Sequence, residues 1–198
     1  MDGPHQARPL ETAGTALDDA EAALVLVHGR GATAQSILQM GRQLHEDGLA
    51  LLAPQADRNT WYPNSFLQPV ESNEPGRSSG LQAIEDAVER ANDHAIPTER
   101  VMVLGFSQGA CLGTEFVALI GETVDPDEFE GSLEGTPAFL GCSDVDPHIP
   151  EKRVHVTTEV LERLDADVEE RIYEGMGHGV NDDEVDYVSG MVADLVQG

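Results

Sequence analysis

One segment constrains the fold of this chain more than any other: an apolar run at 101–106 ends in the pentapeptide GFSQG at 105–109. Small and apolar residues at helical spacing follow at 110–120. The pattern G-x-S-x-G between a strand and a helix forces a turn so tight that side chains at the two glycine positions would collide. We therefore predict a strand–turn–helix unit in which Ser107 has strained backbone angles and an exposed hydroxyl at the helix N-terminus, where developing negative charge is favoured. A plain glycine-rich turn is the alternative.

The rest of the chain alternates between short strands and helices, which favours an α/β class with a mostly parallel sheet and helices on both faces. The short apolar runs lack polar–apolar alternation, as in strands that are buried on both faces. Functional residues of such sheets lie beyond the carboxyl ends of the strands. We predict strands at 22–27, 49–53, 101–106, 137–141 and 168–173, and helices at 34–45, 81–95, 110–120, 157–164 and 184–196.

The charge of the chain is strongly negative. The 198 residues contain 37 acidic and 11 basic side chains, a formal net charge of -26, and the only lysine is Lys152. This dispersed acid resembles the composition of proteins from salt-accumulating haloarchaea, and an ordinary acidic bacterial protein is the alternative. Because no basic patch is present, we expect no nucleic-acid partner.

The length fits one domain over 1–198, and we expect a poorly ordered or loosely packed segment at 1–20. The two cysteines, Cys111 and Cys142, form neither a disulfide framework nor a zinc spacing, so free thiols are expected. The N-terminus has no apolar core of a signal peptide, and no stretch has the length of a membrane span. These features predict a cytoplasmic protein.

A nucleophilic serine needs a base, and the base needs an acid that orients it. After the strand at 137–141 come Asp144 and Asp146, and after the strand at 168–173 comes His178. The order serine, acid, histidine is the one that this kind of elbow requires. We predict Asp146 as the acid, with Asp144 as the second choice. Alternatively, His178 is a loop histidine between glycines and Asp146 is one more solvated acid on an acidic surface. His148, between two prolines, is a poorer base.

The tetrahedral intermediate of such chemistry needs backbone N–H donors. One is expected from Gln108, directly after the serine. The other is expected from the loop HGRGA at 28–32, where two glycines let the backbone turn its amides, and we assign it to Arg30. His28 is then a structural residue that fixes this loop.

Five motifs occur in the order LVHGRGA, WYPNSF, GFSQGACLG, CSDVDPHIP and GMGHG. Together they resemble the phospholipase/carboxylesterase family of α/β hydrolases, which includes acyl-protein thioesterases and relatives of dienelactone hydrolase. The resemblance runs from about residue 22 to the C-terminus. It implies an α/β-hydrolase fold, a catalytic triad of Ser107, Asp146 and His178, and an oxyanion hole formed by the amides of Arg30 and Gln108.

The resemblance also implies a reaction: hydrolysis of short- to medium-chain carboxylic esters, small molecules, through an acyl-enzyme and without a metal or other cofactor. Acyl-protein or acyl-CoA thioesterase activity is the alternative. Dienelactone hydrolases usually have a cysteine nucleophile, so serine favours the esterases. Trp61, Tyr62 and Phe66 correspond to the part of the family that lines the acyl pocket, with core packing as the alternative.

The segment 121–136 departs from the family. It is acidic and has no β-branched apolar run, whereas the family has a strand there, between the nucleophile and the acid. The sheet is therefore expected to be one strand short, which would leave ladder groups without partners. The missing strand leads to two further expectations. The chain could be an inactive scaffold, which is the third interpretation of its function, and it could form a homodimer that covers the exposed sheet edges.

Overall fold

The computed structural model describes residues 3–44, 46–118 and 132–198. By its internal contacts the chain divides into two compact units. Unit 1 consists of Met1–Thr123 and Ser189–Gly198, and unit 2 is Val124–Val188. Each unit contains its own sheet. Among the described helices, none combines the length and the apolar character that crossing a membrane requires.

The sheet of unit 1 has four strands in the order β1-β3-β2-β4. These are β1 (Leu10–Gly14), β2 (Ala22–Val27), β3 (Leu49–Pro54) and β4 (Val101–Gly105). Strands β2, β3 and β4 are parallel, and β1 is antiparallel to β3. Every residue of β2 and β3 is buried, as their continuous apolar sequences predict. The register sets Val27 opposite Gly105, so the carboxyl ends of β2 and β4 lie side by side.

The described part of unit 1 contains the α-helices α1 (Ala34–Gly41), α2 (Gly76–Asn92) and α3 (Gln108–Ala118), and also the end of the chain's last helix. Thr33 begins α1 with a capping box, in which its side chain and that of Ser36 each accept the other's backbone N–H. The apolar stripe of α2 and the inner residues of β2 and β3 form the core, together with Trp61 and Leu112. This core supports the loops that leave the carboxyl ends of the strands.

Unit 2 is built on two parallel strands, β5 (Pro137–Ser143) and β6 (Asp167–Tyr173), with α4 (Glu151–Arg163) between them along the chain. Helix α5 (Asp182–Gln197) begins in this unit. Its first turn is capped reciprocally, because Glu184 N–H donates to Asn181 Oδ1 at 2.9 Å and Asn181 N–H donates to Glu184 Oε2 at 2.8 Å. The cap fixes the chain just after the loop that carries His178.

The α/β class and all five predicted strands are confirmed, with bounds that differ by at most two residues. The N-terminal segment differs from the expectation of loose packing. Leu10–Gly14 pairs with β3, and the buried His5 donates from Nε2 to Trp61 O at 2.9 Å while its Nδ1 accepts Asp57 N–H at 2.9 Å. The sequence LETAG lacks the continuous apolar run by which the other strands were predicted, because a strand at the edge of a sheet keeps polar side chains.

The predicted loss of a strand concerns residues that the structure describes only in part. Residues 121–131 of this segment lie outside the described residues. Within 106–118 and 132–136, which are described, no strand occurs between β4 and β5. The six described strands form two separate ladders, one of four strands and one of two.

Candidate active site

Ser107 lies at the turn between β4 and α3 with a φ of +56°. This left-handed conformation costs a residue with a Cβ about 1–3 kcal/mol, so it persists only where the surroundings impose it. Here the helix imposes it: the amides of Ala110 and Cys111 donate to Ser107 O at 2.9 and 3.1 Å. The predicted strand–turn–helix unit and its strained serine are confirmed.

The two glycines of the turn are required by close backbone contacts. A Cβ at Gly105 would lie 2.2 Å from Gly109 O, and a Cβ at Gly109 would lie 2.0 Å from Val27 O. Gly29 also lies against the turn, because a Cβ there would be 3.3 Å from Ser107 Cβ. The loop after β2 and the serine turn are therefore packed backbone against backbone.

Among the described residues, the backbone N–H groups of Arg30 and of Gln108, both beside this turn, have no protein acceptor. The next two amides after Arg30 do have acceptors: Gly31 N–H donates to Asn59 O at 2.7 Å, and Ala32 N–H donates to Gly29 O at 3.1 Å. An oxyanion hole requires N–H donors that the folded protein leaves unsatisfied. Arg30 and Gln108 have that property.

His28 is fully buried and fixes the loop that contains Arg30. Its Nε2 accepts Ala56 N–H at 3.2 Å, so Nδ1 carries the proton and donates to Gly29 O at 2.8 Å. Burial lowers the pKa of His28, which keeps the ring neutral. Both ring nitrogens are used by the backbone, so His28 is structural, as the sequence suggested.

The side chain of Trp61 is fully buried in the core of unit 1. Its indole N–H donates to His28 O at 2.8 Å, and its backbone N–H donates to Gln108 Oε1 at 3.0 Å. Tyr62 is only 6 % exposed and belongs to the same core, against which the half-buried Phe66 packs. The burial of Trp61 and Tyr62 agrees with core packing, the alternative to the predicted acyl pocket.

Two side chains of the predicted oxyanion residues have roles that the sequence did not reveal. Gln108 Nε2 donates to Tyr62 O at 2.9 Å. The Arg30 guanidinium donates to the carbonyl oxygens of Tyr62, Pro63 and Asn64 at 3.0, 2.9 and 2.6 Å. Both side chains thus tie the 61–64 loop to the residues whose amides lack acceptors. A local pattern shows no signal for such contacts, which join residues more than thirty positions apart.

In unit 2, Asp146 holds His178. The His178 Nδ1–H donates to Asp146 Oδ2 at 2.7 Å, while Asp146 Oδ1 accepts the amides of His148 and Ile149 at 2.7 and 3.0 Å. Burial tends to raise the pKa of Asp146, but the hydrogen bonds from His178 and the two amides outweigh it and the pKa is lowered. The ionised carboxylate therefore keeps the His178 proton on Nδ1 and makes Nε2 the basic nitrogen.

Asp144, the second choice for the acid, has a different task. Its Oδ1 accepts Gly175 N–H at 2.8 Å, and Ser143 Oγ accepts Gly177 N–H at 3.0 Å. Gly175 and Gly177 have φ values of +69° and +78°. Asp144 and Ser143 thus brace the loop that carries His178, and the histidine itself is bound by Asp146.

This chain is similar to proteins of one known family. A family model described as Phospholipase/Carboxylesterase matches residues 14–195. The crystal structure of a phospholipase/carboxylesterase from Dyadobacter fermentans is similar over 94% of this chain and 97% of that one, with 33% identity and a TM-score of 0.88. The structure of a carboxylesterase from Mesorhizobium loti, 20% identical over 98% of this chain and 99% of that one, shares the fold with a TM-score of 0.73.

Another relative is named for a different activity. The acyl-protein thioesterase 1 of Neurospora crassa is 24% identical over 208 aligned residues, which cover 84% of each chain. The Dyadobacter alignment covers nearly all of both chains, so that protein and this one have about the same length. A chain this short is therefore compatible with the fold.

Proposed function

Because the chain belongs to the phospholipase/carboxylesterase family, we propose that Ser107 is its nucleophile, His178 the general base and Asp146 the acid that orients the base. The chain is a hydrolase of the α/β-hydrolase type. The observation that carries the proposal is the left-handed backbone of Ser107. Strain at a residue with a Cβ is retained where function needs it, and here it directs a hydroxyl out of a strand–helix turn.

The reaction begins when Ser107 Oγ attacks the carbonyl carbon of an ester and His178 Nε2 takes the hydroxyl proton. The carbonyl oxygen becomes an oxyanion, which the amides of Arg30 and Gln108 stabilise by donating hydrogen bonds. The C–O bond to the alcohol then breaks, and His178 gives its proton to the leaving alkoxide. Water, deprotonated by His178, attacks the acyl-enzyme in the same way and releases the carboxylic acid and Ser107.

Asp146 makes this cycle possible by its charge and its position. While His178 carries two protons, the imidazolium is stabilised by the adjacent carboxylate. The bonds from two backbone amides keep that carboxylate in place and ionised. The pair is therefore arranged to accept and return one proton at Nε2.

We propose carboxylic esters of short- to medium-chain acids as substrates. The carboxylesterase relatives support the reaction, and the buried position of Trp61 and Tyr62 leaves little aromatic surface for a long acyl chain. Phe66, which is half-buried, is the remaining aromatic candidate for an acyl contact. Hydrolysis of p-nitrophenyl acetate and butyrate in molar KCl, beside Ser107→Ala and with circular dichroism on both proteins, tests this function.

We expect the wild type to turn over these esters and Ser107→Ala to lose nearly all turnover while keeping its fold. Labelling of the wild type, but not the variant, by a fluorophosphonate probe would show that Ser107 is activated. If a folded wild type neither turns over nor becomes labelled, the inactive scaffold is the correct interpretation. Turnover retained by a folded Ser107→Ala would contradict the assignment of the nucleophile.

A thioesterase acting on acylated proteins or acyl-CoA is the second candidate, favoured by the similarity to the Neurospora acyl-protein thioesterase. The same residues would act on a thiolate leaving group, which needs less help from a protonated His178 because a thiol is more acidic than an alcohol. Matched oxyester and thioester substrates with the same acyl chain separate the two. A higher kcat/KM for esters supports the carboxylesterase, and a preference for thioesters supports this alternative.

A further inference from the structure

A second imidazole lies against His178. The rings of His148 and His178 have centroids 4.8 Å apart and planes at 75°, an edge-to-face arrangement. Aromatic rings at this distance and angle attract one another beyond the burial of their surfaces. His148 itself is exposed, so this contact is not part of the core. The mechanism above does not use it.

The position of His148 is fixed by the carboxylate that binds His178. Asp146 Oδ1 accepts the backbone N–H of His148 at 2.7 Å, and Asp146 Oδ2 accepts His178 Nδ1–H at 2.7 Å. Pro147 and Pro150 flank this segment and restrict its backbone. One buried side chain, only 6 % exposed, therefore holds both the ring of His178 and the backbone from which the second ring extends.

The loop of His178 offers little packing of its own. At Gly175, Gly177 and Gly179, no atom of the described residues lies within 4 Å of the point where a Cβ would be. The hydrogen bond at Nδ1 sets the distance from the ring to Asp146, but its direction alone does not fix the angle of the ring plane. A ring packed at a steep angle to the imidazole opposes this rotation, because the edge-to-face contact would be lost.

We propose that His148 is a positioning residue that holds the imidazole of His178 in the orientation needed for proton transfer at Nε2. The proposal rests on the function assigned to His178 above. It requires the ring of residue 148 and not its ionisation, so phenylalanine can replace it. Small errors in the placement of a catalytic group reduce the rate by up to about 100-fold, which sets the size of the expected effect.

The test compares His148→Ala, which removes the ring, with His148→Phe, which keeps an uncharged ring. Val145→Ala is the matched control, because Val145 lies in the same loop and is 58% exposed. We expect kcat for p-nitrophenyl butyrate to fall about 10- to 100-fold in His148→Ala with little change in KM. His148→Phe should recover most of the rate, and Val145→Ala should equal the wild type.

Thermal unfolding of all four proteins separates positioning from stability, since equal Tm values with an unequal kcat point to positioning. A His148→Ala enzyme that turns over like the wild type would overturn the proposal. So would a His148→Phe enzyme as slow as a folded His148→Ala, because the ring contact would then not matter. Ser107→Ala and His178→Ala are assayed in parallel: if either stays active, the proposed function fails, independently of His148.

Discussion

The two units hold their candidate catalytic residues in opposite ways. In unit 1 the backbone is crowded, and a Cβ at Gly105 or Gly109 would lie 2.2 or 2.0 Å from a backbone carbonyl oxygen. In unit 2 the glycines around His178 have open space, and the loop is positioned by Asp144 and Asp146 through side-chain hydrogen bonds. The serine side is thus fixed by steric exclusion and the histidine side by a few polar contacts. We therefore expect substitutions of the crowded glycines in unit 1 to lower mainly stability, and substitutions of the polar contacts in unit 2 to lower mainly activity.

Among substitutions that leave Ser107 and His178 in place, the largest effect on activity is expected in unit 2, where the Asp146 carboxylate binds His178. In Asp146→Asn the amide nitrogen would donate to His178 Nδ1, which moves the ring proton to Nε2 and blocks the base. We expect kcat to fall by about 10³- to 10⁴-fold. Steady-state kinetics on p-nitrophenyl butyrate measure this loss.

Asp144→Asn is the matched control for that substitution. Asparagine keeps an oxygen that can accept Gly175 N–H, so we expect a change in kcat of less than about 10-fold, from a loop that is slightly less well braced. Equal losses in the two variants would mean that the charge of the loop, and not the bond to His178, supports activity.

The largest effect on stability is expected in unit 1. Gly109→Ala places a Cβ 2.0 Å from Val27 O, a backbone atom that can move only if β2 moves. We expect a loss of about 3 kcal/mol or more in the free energy of unfolding, measured by urea denaturation. Gly179→Ala, which adds the same methyl group in the open loop of unit 2, should change it by less than about 0.5 kcal/mol. Similar losses in both variants would remove the distinction between the two units.

The same contrast explains which features the sequence could predict. The serine turn is visible because steric exclusion acts within five consecutive residues, so glycines must appear at 105 and 109. The placement of Asp146 beside His178 could be anticipated from chain order after successive strands, because parallel strands bring those loops to one edge. Both signals are local, or depend on topology alone.

The features that the sequence did not reveal depend on contacts between distant residues. Strand β1 has no continuous apolar run, and His5 is fixed by Trp61 and Asp57 from another part of the chain. The sequence could not decide between core and acyl pocket for Trp61, since an apolar side chain near a site looks the same in sequence whether it faces substrate or core. The guanidinium of Arg30 donates to three backbone carbonyl oxygens. Every residue has such a carbonyl, so the residue types of the acceptors do not predict the contact.

A smaller effect should show the strain at the serine directly. Ser107→Gly relieves the left-handed conformation, while Ser107→Ala keeps a Cβ at a φ of +56°. The relief exceeds the greater flexibility of glycine in the unfolded chain, so we expect Ser107→Gly to be more stable than Ser107→Ala by about 1 kcal/mol. Both variants are inactive in the proposed mechanism, so urea unfolding is the measurement. An alanine variant as stable as the glycine variant would show that the turn is not strained.

The smallest expected effect is a difference between the two units in how stability depends on pH. Burial lowers the pKa of His28 below its unfolded value of about 6.5, so the unfolded chain binds a proton that the folded chain does not. The stability that His28 supports is therefore present above about pH 6.5 and is lost as the pH falls toward its folded pKa. Asp146 has a lowered pKa as well, but its unfolded value is about 3.9, so its contribution is lost only at more acidic pH.

Unit 1 should accordingly weaken first on acidification. We expect the free energy of unfolding to decline between pH 7 and 5.5, and to decline less in His28→Gln, which keeps a donor and an acceptor but does not titrate. The difference between the two urea-unfolding curves isolates His28 from every other group that both proteins share. Parallel curves over this range would mean that the buried ring takes up its proton as easily in the folded chain as in the unfolded one, and that the crowded unit is no more sensitive to acid than the open loop of His178.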